Sequence, residues 1–183
     1  MVNAADTGAW SRYSWAGREA TLGYHQLIEA FLGAMCTQTK RAIYCTARHR
    51  FARYEREPTR IGIAPLRKLR ARGTTTVRFS LSKVSTVTVR VTGAQNVTLT
   101  SGLQLPHGAH TIAWTPPARG RYRVLISAQG PSGPLGVSSR KVHVVLPKPK
   151  PKKKPCKRTP KSEKRCHAKR QLTSRWESEK VGK

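Results

Sequence analysis

Acidic residues are scarce in this 183-residue chain: 8 Asp+Glu stand against 36 Lys+Arg, a formal net charge of +28. They are Asp6, Glu19, Glu29, Glu55, Glu57, Glu163, Glu177 and Glu179, so residues 58–162 contain none. A field of one sign on that scale attracts polyanions: nucleic acid, anionic lipid surfaces or acidic polysaccharide. A general basic bias of composition is the competing explanation. Apolar residues make up 37% of the chain and mean hydropathy is −0.55. One core running through the whole length is therefore not expected. No apolar run approaches the ~20 residues that a membrane-crossing helix needs. The opening Met1–Gly8 lacks the basic and apolar regions of a secretion signal. If the protein is exported, its signal is expected upstream, as in a truncated reading frame.

Cysteine is also sparse. Cys36/Cys45 and Cys156/Cys166 form two local pairs. Neither has the CxxC spacing of a zinc ribbon, and His167 is the only histidine near the second pair. No metal site and no cofactor are expected. Two short-loop disulfides fit an oxidising compartment, hence an extracellular or cell-surface location. A loop of about 10 residues would stabilise the fold by roughly 2–3 kcal/mol in the chain-entropy model. Four free thiols in a cytosolic protein remain the alternative.

What is present divides the chain into parts. Tyr24, Leu27, Ile28, Phe31, Leu32 and Met35 recur at intervals of three and four, which predicts one face of a helix with Thr21 as N-cap. A second helix is expected over about Ile43 to Tyr54, after the polar loop Thr37–Lys40. Bridging Cys36 to Cys45 would staple that hairpin. Two helices cannot bury their apolar faces alone, so residues 1–57 read as part of a larger helical array. Residues 58–73 read as a basic linker bracketed by Pro58 and Pro65.

From there the period becomes two. Val77, Phe79 and Leu81, then Val87, Val89 and Val91, then Tyr122, Val124 and Ile126 alternate with polar residues between Gly- and Pro-rich turns. Six or seven such strands predict an all-β, immunoglobulin-like sandwich over 74–146. Trp114 is its expected core aromatic, with carbohydrate stacking as the minor alternative. Residues 147–183 alternate Pro and Lys at first and hold 15 Lys+Arg against 3 Glu, net +12. A disordered, extended tail is expected. Trp176 alone cannot build a stacking platform for single-stranded nucleic acid.

The segment Asp6-Thr7-Gly8-Ala9-Trp10-Ser11-Arg12-Tyr13-Ser14, followed by Leu22-Gly23-Tyr24-His25-Gln26-Leu27-Ile28, resembles the C-terminal end of D-glucuronyl C5-epimerases. The resemblance covers about residues 6–57. It implies a fragment of an α/α-toroid domain acting on uronic acid residues of an acidic polysaccharide. That chemistry inverts C5 with two acid/base groups on opposite faces of the sugar. On the matching positions it implies Tyr13 and Tyr24 as proton-transfer groups, and Arg12 and His25 as carboxylate-binding groups. A core tyrosine at position 24 is an equal alternative. The segments Gly108–Trp114 and Gly120–Val124 resemble immunoglobulin-like modules of flagellar hook-capping type.

The sequence reading is thus mixed and modular. An epimerase-like fragment, inactive alone, is followed by a sandwich and an anchoring tail that bind an acidic polysaccharide or another anionic cell-surface polymer. The alternative is a non-catalytic surface protein binding anionic wall polymers. Specific nucleic-acid recognition has no module to support it.

Overall fold

The structure, a computed structural model, describes residues 2–14, 17–66 and 69–146. The tail 147–183, with Cys156 and Cys166, lies outside the described residues. The described chain is β-rich with two helices, α1 (Leu22–Thr39) and α2 (Ala42–Arg56). Eight strands follow: β1 (Ile61–Ile63), β2 (Leu69–Arg70), β3 (Thr75–Leu81), β4 (Ser85–Gly93), β5 (Val97–Leu105), β6 (Gly108–Trp114), β7 (Gly120–Gln129) and β8 (Gly136–Val145). The segment read as a linker therefore holds two short strands. Two or three residues carry too little alternation to announce a strand.

The strands form a three-stranded sheet, β1-β3-β6, and a five-stranded sheet, β2-β8-β7-β4-β5. Pairing is antiparallel except between β2 and β8. Val77, Phe79, Leu81 and Trp114 of the smaller sheet share one buried core with Val87, Val89, Val91, Tyr122, Val124, Ile126, Val142 and Val144 of the larger. Alternation explains this: every second side chain of a strand faces the same way. Trp114 is 3% exposed, with its ring edge-on to Tyr122 at 5.4 Å. It is a core residue and offers no face to a carbohydrate.

The Thr21 hydroxyl caps α1 by accepting from the Tyr24 N–H. The helix continues into the expected loop as far as Thr39, and Lys40 turns the chain with a φ of 55°. Thr37 and Thr39 donate their hydroxyls back to the Gly33 and Met35 carbonyls, so these polar residues extend the helix. Cys36 and Cys45 are joined by a disulfide that staples α1 to α2.

The inward face of α1 differs from the expected stripe. His25 and Leu32 are buried and Ile28 packs beside them, whereas Leu27 and Phe31 are each 63% exposed. The helix is rotated because its partners are Trp10, Phe51 and Tyr54, which sit over the 25/28/32 row. Val84, at the β3–β4 turn, packs on this second core. The helices thus find cover in the N-terminal segment and the sandwich, where the sequence reading supplied a missing array.

Two buried polar side chains fasten the N-terminal part of the chain to the sandwich, Lys83 at the end of α2 and Glu19 in the segment before α1. Lys83, 1% exposed, donates from Nζ to the Tyr54 carbonyl at 2.6 Å and the Glu57 carbonyl at 2.7 Å. These carbonyls lie at the end of α2, where backbone acceptors have no helical partner and positive charge is favoured. Glu19 accepts from the Val84 N–H at 2.8 Å and the His107 N–H at 2.6 Å. Gly133, with a φ of 81°, is pressed against the same helix end. A Cβ there would stand 2.7 Å from the Glu55 carbonyl oxygen.

Candidate anion-binding surface

Three of the four implied uronate-handling residues lie together. Arg12, Tyr13 and Tyr24 line a shallow cleft of about 250 Å³ with Ser14 and Ile28. Tyr13 is 63% exposed, and its ring centroid lies 4.5 Å from that of Tyr24. Aromatic rings at that separation are in direct contact. No sugar ring fits between them, so they cannot exchange protons from opposite faces in this arrangement.

His25 stands apart from the cleft. It is fully buried, stacked on Trp10 at 3.9 Å and 8°, with Phe51 on its other side. Its Nε2 lies 3.0 Å from the Phe51 carbonyl and its Nδ1 2.7 Å from the Ser11 hydroxyl. A carbonyl only accepts, so Nε2 carries the proton and Nδ1 accepts from Ser11. Both nitrogens are occupied within the core, and none is offered to a carboxylate.

Burial also holds the His25 pKa below its ordinary 6.5. The unfolded chain takes up this proton near pH 6.5, while the folded core resists it. Its contribution to stability is therefore complete above pH 6.5 and lost as pH falls toward the depressed folded value. One proton sets a limiting slope of about 1.4 kcal/mol per pH unit. Replacing His25 by Gln should flatten this decline in denaturation midpoints across a pH series. An unchanged decline would place the titration elsewhere.

The outer face of the five-stranded sheet has a different character. On β7, Tyr122, Val124 and Ile126 point inward, which turns Arg121 and Arg123 to solvent. On β8, Val142 and Val144 point inward, leaving Lys141 and His143 exposed. Arg123 lies directly opposite Lys141, and Arg121 directly opposite His143. Arg90 of β4 is opposite Leu125, and thus diagonal to Arg123. Directly opposite residues hold their Cβ atoms about 4.5–5.5 Å apart, and like charges there destabilise the sheet. Among the described residues, no acid relieves them. The ion pairs among the described residues engage Arg48, Arg50, Arg53 and His107, none of which is on this face.

Alternation alone marks Arg90, Arg121 and Arg123 as outward. That Arg123 meets Lys141 depends on strand register, which the sequence does not show. Tyr122, the aromatic of these two strands, belongs to the inward row, so the outer face of β7 and β8 lacks a platform for stacking bases. Among the described residues, no cluster of three or more His, Cys, Asp or Glu could hold a metal ion, and no helix is long and apolar enough to cross a membrane.

No protein-family model matches the chain, and no curated protein does. Among solved structures it is similar to the CARDB domain of a protein from Pyrococcus furiosus, determined in solution. Identity is 18% and the TM-score 0.36, over 51% of this chain and 99% of that one. No family model supports an epimerase or a hook-capping module, and the described helices form one hairpin against a sandwich, with no toroid wall among the described residues. The resemblance to those two families does not hold.

Proposed function

We propose that this chain is a non-catalytic binding module for an acidic polysaccharide, held on the outer face of the five-stranded sheet. The carrying observation is the block of Arg90, Arg121, Arg123 and Lys141 beside His143, with no acid on this face among the described residues and with Arg123 and Lys141 directly opposed. An anionic polymer relieves that repulsion. The fold keeps these cations together at a cost of up to about 1 kcal/mol for each like-charged pair, which a purely structural surface has no reason to retain. The acid-free stretch 58–162 extends the same field beyond the face. The Cys36–Cys45 disulfide supports an oxidising, cell-surface setting, where acidic polysaccharide is the polyanion at hand.

Polygalacturonate is a suitable probe. The full chain should bind it at low salt and release it steeply as salt rises, because contact frees counterions. The triple variant Arg121→Ser, Arg123→Ser, Lys141→Ser should unfold at or above the native midpoint, since the repulsion is relieved. Its slope of log affinity against log salt should shrink by about 2, at somewhat under one unit per lost contact. No binding by the native chain, or an unchanged slope in the variant, would defeat the proposal. Much tighter binding to duplex DNA of matched charge would move the assignment to nucleic acid.

A further inference from the structure

A two-sheet fold has four edges, and each exposes unpaired backbone N–H and C=O groups that can recruit another strand. Natural sheets blunt such edges by keeping them short, bulging them or placing charge on them. Here β1 and β2 end the two sheets with three and two residues. The opposite edge of the larger sheet, β5, is long, but its pairing with β4 shifts register twice, between Val87 and Val89 and again between Val89 and Arg90. That leaves β6, the remaining edge of the smaller sheet.

β6 carries none of these devices. Its seven residues pair with β3 in one unbroken register, from Leu81↔Gly108 to Thr75↔Trp114. It contains no proline and no Lys, Arg, Asp or Glu. The absence of charge extends beyond the strand: residues 91–118 hold no Lys, Arg, Asp or Glu, in a chain that is 24% charged. His107 and His110 are the ionisable groups in that window, and His107 already faces Glu19 at 3.1 Å. The outward residues of β6, Ala109, Thr111 and Ala113, are small and exposed.

We infer that β6 is the edge through which two copies of this chain join, antiparallel, into one six-stranded sheet. Neutrality selects this occupant. Two chains of net charge +28 repel wherever their cations meet, and this edge lets them approach without placing cation against cation. Symmetry fixes the register. Directly opposite residues share a face of the sheet, so a twofold pairing must join residues of equal parity. Centring it on Thr111 uses all seven residues and sets Ala109 against Ala113 and His110 against Ile112. Self-complementary contact of this kind is what a twofold interface requires. The inference goes beyond the polysaccharide reading and does not depend on it.

Thr111→Glu separates folding from pairing. Within one chain position 111 lies opposite Arg78, so the new carboxylate is matched there. Across the proposed twofold it meets its own copy, and like charges repel. Sedimentation velocity over a concentration series should show a monomer–dimer equilibrium for the native chain. The Thr111→Glu variant should remain monomeric throughout, and at a concentration low enough for the native chain to be monomeric its unfolding midpoint should be no lower than native. Ala109→Lys, exposed and opposite Ser80, should likewise remain monomeric. A native chain that is monomeric throughout would overturn the inference, as would a Thr111→Glu variant that still dimerises.

Discussion

Lys83→Met should lower the unfolding free energy by about 2–3 kcal/mol, the penalty of leaving two buried acceptors unmatched after losing charge-assisted bonds. Methionine keeps most of the volume and the apolar stem, so cavity formation contributes little. What is lost is the ammonium that bonds the Tyr54 and Glu57 carbonyls and lies 5.3 Å from the Trp10 ring centroid. Removing a buried charge also returns part of its desolvation cost. That cost is visible in a Lys83 pKa pushed below the ordinary 10.5, chiefly by burial. The net value therefore falls below the sum of two charged hydrogen bonds. Denaturant midpoints would register the loss, and limited proteolysis should show faster cleavage near Arg56 and Arg60 as α2 separates from the β3–β4 turn. Equal midpoints would mean that Lys83 is a passenger in the joint between helices and sheets.

Trp10→Ala should be more damaging, by about 3–5 kcal/mol, as expected for a fully buried large aromatic truncated to alanine. The ring is completely inaccessible, stacks on His25, and donates its Nε1–H to the Ala20 carbonyl at 2.8 Å. Its removal opens a cavity in the smaller core, orphans that carbonyl and strips one face from the imidazole. Trp10→Phe should lose distinctly less, because stacking survives while the indole donor does not. Loss of helical circular dichroism below the native transition would locate the damage in α1 and α2. If Trp10→Ala unfolds like the native chain, residues 4–14 are not part of the core.

The same residue shows where sequence reading stopped. Ala9-Trp10-Ser11 lies within the segment 6–14 that resembles an enzyme family, yet Trp10 and Ser11 are fully buried and serve His25. Both a catalytic pocket and a core select aromatic residues beside a histidine, and linear order does not separate them. The helices were legible because intervals of three and four and a Thr N-cap are local properties. Their rotation was not: Leu27 and Phe31 belong to the apolar stripe and His25 does not, and only the positions of Trp10 and Phe51 turn His25 inward. Burial of Lys83 was equally hidden, since its acceptors lie 26 and 29 residues away. Strand alternation made the two faces of β7 readable, with Arg121 and Arg123 outward. The meeting of Arg123 with Lys141 needed the register of β8.

Mapping by backbone amide shifts tests most directly where an acidic polymer lies on the protein. Polygalacturonate fragments titrated into isotope-labelled protein should perturb the amides around Arg90, Arg121, Arg123, Lys141 and His143. Residues of α1, the cleft around Arg12, Tyr13 and Tyr24, and the β6 edge should stay unperturbed. Shifts concentrated at that cleft, with the outer face of the five-stranded sheet silent, would contradict the account.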